Sequence, residues 1–169
     1  SPEQPDDELL GISPVRRMIS NQMVRSAAEI PQAWTIIEVD VTNMVTLRST
    51  IKSDFFHKES VNITYLSFVI KAVAESLKEN PLLNSSWQED SIILKRHVNI
   101  GIAVATPQGL MVPVIHDADS LSIAGLAKAT DRLKTRALNG SLSIEDVQDG
   151  TFTVNNTGAL GSVASQPLI

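Results

Sequence analysis

Residues Thr151–Ser162 read TFTVNNTGALGS. Thr151, Phe152, Thr153 and Val154 are strand formers, but the run then meets Asn155 and Asn156 and passes into a stretch carrying Gly158 and Gly161. Asparagine is depleted in strands because its amide competes for backbone hydrogen bonds. Two of them at a strand end are therefore either turn residues or a pair of amide donors directed at a ligand. The residues alone leave both readings open. The strand also follows helical patterns, so it makes the chain alternate between strands and helices. That alternation predicts an α/β (α+β) domain, a mixed sheet with helices packed on it.

Upstream of that strand, SIEDVQDG (143–150) predicts a short helix. SLSIAGLAKATDRLKTRALNG (120–140) predicts an amphipathic one, capped by Ser120 or Ser122 and stopped at Asn139-Gly140. Two strands are expected at roughly 91–106, interrupted near His97, and at 110–115, with TPQG (106–109) as the turn between them. NITYLSFVIKAVAESLKENP (62–81) is the most apolar helical segment and is expected to be central, closed by Asn80-Pro81. Thr42 to about Phe56 repeats the helical spacing with Val45, Leu47, Arg48 and Ile51. WTIIEVDV (34–41) alternates polar and apolar residues and predicts a half-buried strand. SPVRRMISNQMVRSAAEIP (13–31) predicts a helix with Ser13 as cap, Pro14 at its first position and an apolar face of Val15, Met18, Ile19, Met23 and Ala27. Residues 1–12, SPEQPDDELLGI, combine two prolines with four acids and read as a flexible linker. The expected domain spans 13–169.

The 169 residues are 43% hydrophobic and 20% charged, enough for one domain with its own core. A net charge of −5 argues against nucleic acid or an anionic membrane as partner. With no cysteine there is no disulfide framework, thiolate zinc site or cysteine nucleophile, which suits a cytoplasmic protein. His57, His97 and His116 stand apart from any carboxylate or second histidine at metal-binding spacing, and no metal site is expected. There is no G-x-S-x-G or H-E-x-x-H, and no general base stands out. Arg48 reads as a solvated helix residue, Thr64 as a cap and Lys134 as a cation near a helix C-terminus.

Several stretches in order resemble the catalytic domain of the dihydrolipoamide acyltransferases of 2-oxo acid dehydrogenase complexes. They are RRMISNQMVRSAAEIPQAW, EVDVTNMVTLR, VNITYLSFVIKAVAESLKENPLLNSS, VNIGIAVATPQGLMVPVIHDAD, LSIEDVQDGTFTVNNTGALGS and SQPLI, spanning about 13–169. TFTVNNTG and IPQAW look most like the bacterial branched-chain 2-oxo acid members. The resemblance implies a chloramphenicol-acetyltransferase-like fold and trimers assembling into a 24-mer or 60-mer core. It also implies work beside 2-oxo acid decarboxylase and dihydrolipoamide dehydrogenase components, with the lipoyl group carried on an upstream domain.

The implied reaction moves a branched-chain acyl group, such as 2-methylpropanoyl, from dihydrolipoamide to coenzyme A. An acetyl- or succinyl-specific member, a free-standing acetyltransferase and an inactive assembly scaffold are the alternatives. By the same resemblance Asn155 occupies the position of a serine or threonine that stabilises the oxyanion. Asn156 lies beside the coenzyme A channel, and Arg48, Thr64 and Lys134 are coenzyme A contacts. Ala105 stands where relatives carry aspartate, and Arg16 or Arg17 is a partner for the aspartate of an H-x-x-x-D-G motif. That motif supplies the family's catalytic histidine. The 169 residues do not contain it, so the domain is expected to be incomplete at its C-terminus.

Overall fold

A computed structural model describes residues 11–12, 14–107 and 109–156. The linker reading of residues 1–10, the cap at Ser13 and the glycines beyond Asn156 lie outside those residues. In chain order the described elements are helices α1 (Pro14–Glu29), α2 (Thr42–Glu59) and α3 (Tyr65–Glu79), then strands β1 (Ser85–Gln88), β2 (Ser91–Leu94), β3 (Ile100–Ile102), β4 (Val104–Thr106), β5 (Gly109–Met111) and β6 (Val114–Ile115), then helix α4 (Ile123–Leu138) and strand β7 (Phe152–Val154). Short 3-10 turns lie at Pro81–Leu83, Ala118–Ser120 and Glu145–Val147.

Strand β3 is buried along its whole length and lies between β6, antiparallel to it, and β7, parallel to it. The sheet is therefore mixed, as the alternation of elements predicts. One face of it carries Ile100, Ile102 and Ile115, which pack with Ile70, Ala74 and Leu77 of α3 and with Leu126 and Leu133 of α4. The spacing 70, 74, 77 is one stripe of a helix, and that stripe alone goes inward. Tyr65 and Val69 stay exposed, so α3 is amphipathic in place rather than surrounded. Gly101 points to the other face of the sheet, where a Cβ would come within 2.9 Å of the Val112 side chain and 3.4 Å of Thr153 Oγ1. Only a residue without a side chain fits there.

The register of the parallel pair is held by Asn99, a buried polar residue. Its amide nitrogen Nδ2 donates to the carbonyl of Asp149 at 2.8 Å, and its Oδ1 accepts from the backbone N–H of Asp117 at 3.0 Å. Its own N–H donates to Thr151 Oγ1, and its carbonyl accepts from the N–H of Thr151. One side chain and one peptide thereby tie the start of β3 to the exit of β6 and the start of β7. Burial without these partners would cost each polar group its hydration.

Four expectations need correction. First, residues 34–41 form no strand: none of the described residues pairs with them, and Ile37 is 76% exposed. Alternation specifies an extended segment with two unlike faces, whereas a strand also needs a neighbour to bond its backbone. Second, of the apolar face expected for α1, Met18 is 66% exposed and Ala27 is exposed, while Met23 is half-buried and the buried residue is Ser26. In α2 the half-buried stripe runs through Met44, Arg48, Ile51, Phe55 and Glu59, leaving Val45 and Leu47 exposed, and the helix runs on to Glu59, where Ser60 in a left-handed conformation ends it. Third, besides the interruption expected near His97, the first expected strand divides at Ala103 and the second at Pro113, which gives five strands in place of the two, and the first of them pairs with an unforeseen strand at 85–88 to make the β1–β2 hairpin. Fourth, SIEDVQDG holds only a single 3-10 turn. The α4 cap resolves to Ser122, whose Oγ accepts from the N–H of Gly125 at 3.1 Å.

The turn at Glu145–Val147 is anchored by a reciprocal pair. Asp146 Oδ2 accepts from the N–H of Ser143 at 2.8 Å, and Ser143 Oγ accepts from the N–H of Asp146. Arg136 adds an ion pair to the same carboxylate at 2.9 Å. The backbone N–H of Ser143, and after it the Ser143 hydroxyl and Arg136, hold the Asp146 carboxyl below its ordinary range against the opposing effect of burial. A carboxyl lowered by folding stabilises the fold above its unfolded pKa, and that contribution disappears as pH falls through the folded value. Asp146→Asn is expected to lower stability by roughly 1.5–3 kcal/mol at neutral pH. Its urea midpoint should converge with that of the parent below about pH 4, and a gap independent of pH would contradict this role. Asn99→Ala, which orphans the Asp149 carbonyl and the Asp117 N–H, is expected to cost roughly 2–4 kcal/mol in the same measurement.

Candidate functional site

Strand β7 carries the asparagine pair to the edge of the sheet. Val154 pairs with Ile102, its carbonyl accepts from the N–H of Ala103 at 3.3 Å, and Asn155 and Asn156 follow directly, both exposed. Their place is fixed by the parallel pairing of β7 with β3, because the chain leaves the sheet immediately after its last paired residue. A neutral amide NH₂ presented there is a hydrogen-bond donor that stays in one charge state at any working pH.

Arg48 and Thr64 meet at the junction of α2 and α3. The Nε of Arg48 donates to the carbonyl of Ile63 at 2.9 Å, and its guanidinium carbon lies 4.7 Å from the centre of the Tyr65 ring. This is a half-buried clamp rather than the solvated arginine its helix position suggests. The planar guanidinium makes it possible, because stacking and in-plane donation use different directions of one group. Thr64 sits at the cap position of α3, yet its hydroxyl makes no cap bond and instead lies 3.3 Å from that of Ser67. Lys134 is exposed on α4, and the cation in the last turn of that helix is Arg136, whose Nε and Nη2 bond the Ser141 carbonyl. The dipole-complementing reading of Lys134 thus passes to Arg136. No hydrogen bond among the described residues joins Lys134 to the Arg48–Thr64 corner or to the asparagines. Ala105 is exposed on β4 opposite Leu110, and Arg17 is exposed on α1.

A cluster that sequence spacing did not reveal lies at the other end of β3 and β7. His97 Nδ1 is 2.6 Å from Asp117 Oδ1, and His116 Nε2 is 3.0 Å from the carbonyl of Glu145. The pair 97 and 117 is twenty residues apart, brought together because β3 and β6 are antiparallel neighbours. The only sequence signal was that both residues flank the ends of strands. No group of three or more histidines, cysteines or carboxylates suited to a metal ion is found among the described residues. Nor is any described helix long and apolar enough to cross a membrane.

Residues 4–169 match the family model of the 2-oxoacid dehydrogenases acyltransferase (catalytic domain), and the chain belongs to that family. It is 50% identical over 163 residues to the lipoamide acyltransferase component of the branched-chain alpha-keto acid dehydrogenase complex of Bacillus subtilis, an alignment covering 96% of this chain and 38% of that protein. Among solved structures, a probable dihydrolipoamide acetyltransferase from Listeria monocytogenes matches with a TM-score of 0.93 and 46% identity, over 98% of this chain and 71% of that one. A truncated catalytic core of the 2-oxoacid dehydrogenase multienzyme complex from Thermoplasma acidophilum matches with a TM-score of 0.88 and 36% identity, over 96% and 75%. The chain thus spans under two-fifths of the length of the Bacillus subtilis relative.

Arg48→Lys keeps the charge but loses the planar donor that serves Ile63 and Tyr65 together. It is expected to lower stability by roughly 1 kcal/mol, read as a shift of the denaturant midpoint. A midpoint equal to that of the parent would show that the clamp is incidental.

Proposed function

We propose that this domain catalyses transfer of an acyl group from dihydrolipoamide to coenzyme A, with Asn155 as the oxyanion donor. The observation that carries the reading is the family match across residues 4–169, together with the position of Asn155 at the free end of β7. In this reaction the coenzyme A sulfur, deprotonated by a base, attacks the thioester carbonyl and forms a new carbon–sulfur bond. The negative charge moves to the carbonyl oxygen, where an amide N–H of Asn155 stabilises it. Collapse breaks the bond to the dihydrolipoyl sulfur, which takes up the proton. A donor aimed at charge that develops only in the transition state acts on turnover rather than on ground-state binding.

The base in this reading is the histidine of the family's H-x-x-x-D-G motif, a motif the 169 residues do not contain. His97 has an orienting carboxylate but belongs to the other end of β7. The four residue-to-residue steps from Thr151 to Asn155 put about 13 Å between the two ends. Asn156, Arg48, Thr64 and Lys134 are the proposed coenzyme A contacts. Arg48 acts there chiefly by holding the Ile63–Tyr65 segment on which Thr64 sits. The branched-chain relative at 50% identity favours a branched acyl group such as 2-methylpropanoyl, while the similarity to an acetyltransferase at 46% keeps acetyl as the competing substrate. Likeness to the catalytic core of a multienzyme complex supports assembly into a larger core; we extend this to trimers forming a 24-mer or 60-mer in the cytoplasm, beside 2-oxo acid decarboxylase and dihydrolipoamide dehydrogenase components.

In the full-length protein, Asn155→Ala is expected to reduce kcat for acyl transfer by about 10²–10³ with little change in KM for coenzyme A. Asn155→Ser should restore part of the loss. Unchanged turnover would remove Asn155 from the mechanism. Running the assay with 2-methylpropanoyl-, acetyl- and succinyl-coenzyme A in the reverse direction ranks the acyl groups.

A further inference from the structure

The end of the sheet away from Asn155 holds a cleft of 710 Å³ lined by Lys95, Arg96, His97, His116, Asp117 and Asp149, with Asn99 at its base. Lys95 and Arg96 are exposed, and neither enters an ion pair among the described residues. The hydrogen bonds of the two histidines determine which ring nitrogen each one commits to the protein. A carboxylate can only accept, so His97 Nδ1 carries the proton shared with Asp117, and Nε2 is left free. A carbonyl can only accept, so His116 Nε2 donates to Glu145, and its Nδ1 is left free. Each ring is therefore oriented by one bond to the protein and keeps one nitrogen for something else.

The charges facing the cleft are Lys95 and Arg96 against Asp117 and Asp149, with Glu145 present only through its carbonyl. These four balance when both imidazoles are neutral. Asp117 and Asp149 both hold left-handed backbone conformations, with φ of 47° and 58°. Asn99 receives the Asp117 N–H and donates to the Asp149 carbonyl, so the cleft wall is built on a buried hub rather than on free loops.

We propose that this cleft is a second binding site, distinct from the Asn155 end of β7, for the phosphate group of a small metabolite. Lys95 and Arg96 supply fixed charge, with the Arg96 fork suited to two phosphate oxygens. His97 and His116 line the same cleft, each ring oriented by its bond to Asp117 or to the Glu145 carbonyl. The inference does not depend on the acyltransferase reading, because none of these residues is assigned to it.

The test is calorimetric titration of the full-length protein. With inorganic phosphate at pH 6.5, one saturable site per chain is expected. It should weaken about tenfold in the Lys95→Ala/Arg96→Ala double variant, the loss expected when charge-assisted hydrogen bonds to an anion are removed. His97→Ala should weaken it as well, whereas Lys52→Ala, an exposed cation on α2, should leave it unchanged. Absence of saturable phosphate binding, or equal weakening by Lys52→Ala, overturns the proposal. A coenzyme A arm separates the two sources of phosphate: one-for-one displacement of phosphate by coenzyme A would assign the cleft to the acyl acceptor and overturn its separateness. Full phosphate binding in an Asn155→Ala variant with lost turnover would show that the two sites fail independently.

Discussion

The hydrogen bonds of Asn99 are the constraint on which the described sheet depends. A parallel pair of strands needs its register set from outside the strands, since no tight turn joins them. Here β3 and β7 are separated in sequence by three strands and a helix, and the register is set by one buried side chain that reaches both the chain leaving β6 and the chain entering β7. Gly101 then lets Val112, ahead of β6, and Thr153 of β7 pack close on β3, because a Cβ there would lie 2.9 Å from the Val112 side chain and 3.4 Å from Thr153 Oγ1. Polar satisfaction at one residue and the absence of a side chain two residues later act on the same pairing. Everything at either end of β7 inherits its position from them.

That geometry gives the strand two chemically different ends. At one, exposed amides offer neutral donors suited to a transient oxyanion. At the other, two imidazoles and two fixed cations surround an open cleft. The separation of about 13 Å along the strand is why the His97–Asp117 pair does not serve the asparagines, although a histidine held by a carboxylate is the usual form of a general base. Proximity in a strand-based site is set by which end of the strand a residue occupies more than by its distance in sequence.

Helix α2 shows how a helix with no fully buried residue is nevertheless held in place. Arg48 bonds the Ile63 carbonyl and stacks on Tyr65, while Glu59 at the far end pairs with Lys128 of α4 at 2.7 Å. The second contact is exposed and adds little on its own. The first is half-buried and positional, fixing the segment that presents Thr64. Helix α3 is tied in turn to the Ala118–Ser120 turn by Lys71, which donates to the Asp119 carbonyl at 3.0 Å.

Local chemistry made much of this protein legible in its sequence. The positions of α3 and α4, a serine cap at 120 or 122 and the mixed sheet follow from periodicity, capping residues and turn residues, all of which act within a few positions of one another, while the family was legible from the resemblance of its ordered motifs. The asparagine pair was visible for the same reason, as two residues unsuited to the strand they end. Three things depended on tertiary structure. The alternation at 34–41 specified an extended backbone but could not supply the neighbour a strand requires. The helix position of Arg48 could not show that Ile63 and Tyr65 would be within its reach. The separation of His97 from Asp117 concealed a pair that exists only because β3 and β6 run antiparallel. In each case the deciding partner comes from another part of the chain, and no spacing within a single segment encodes it.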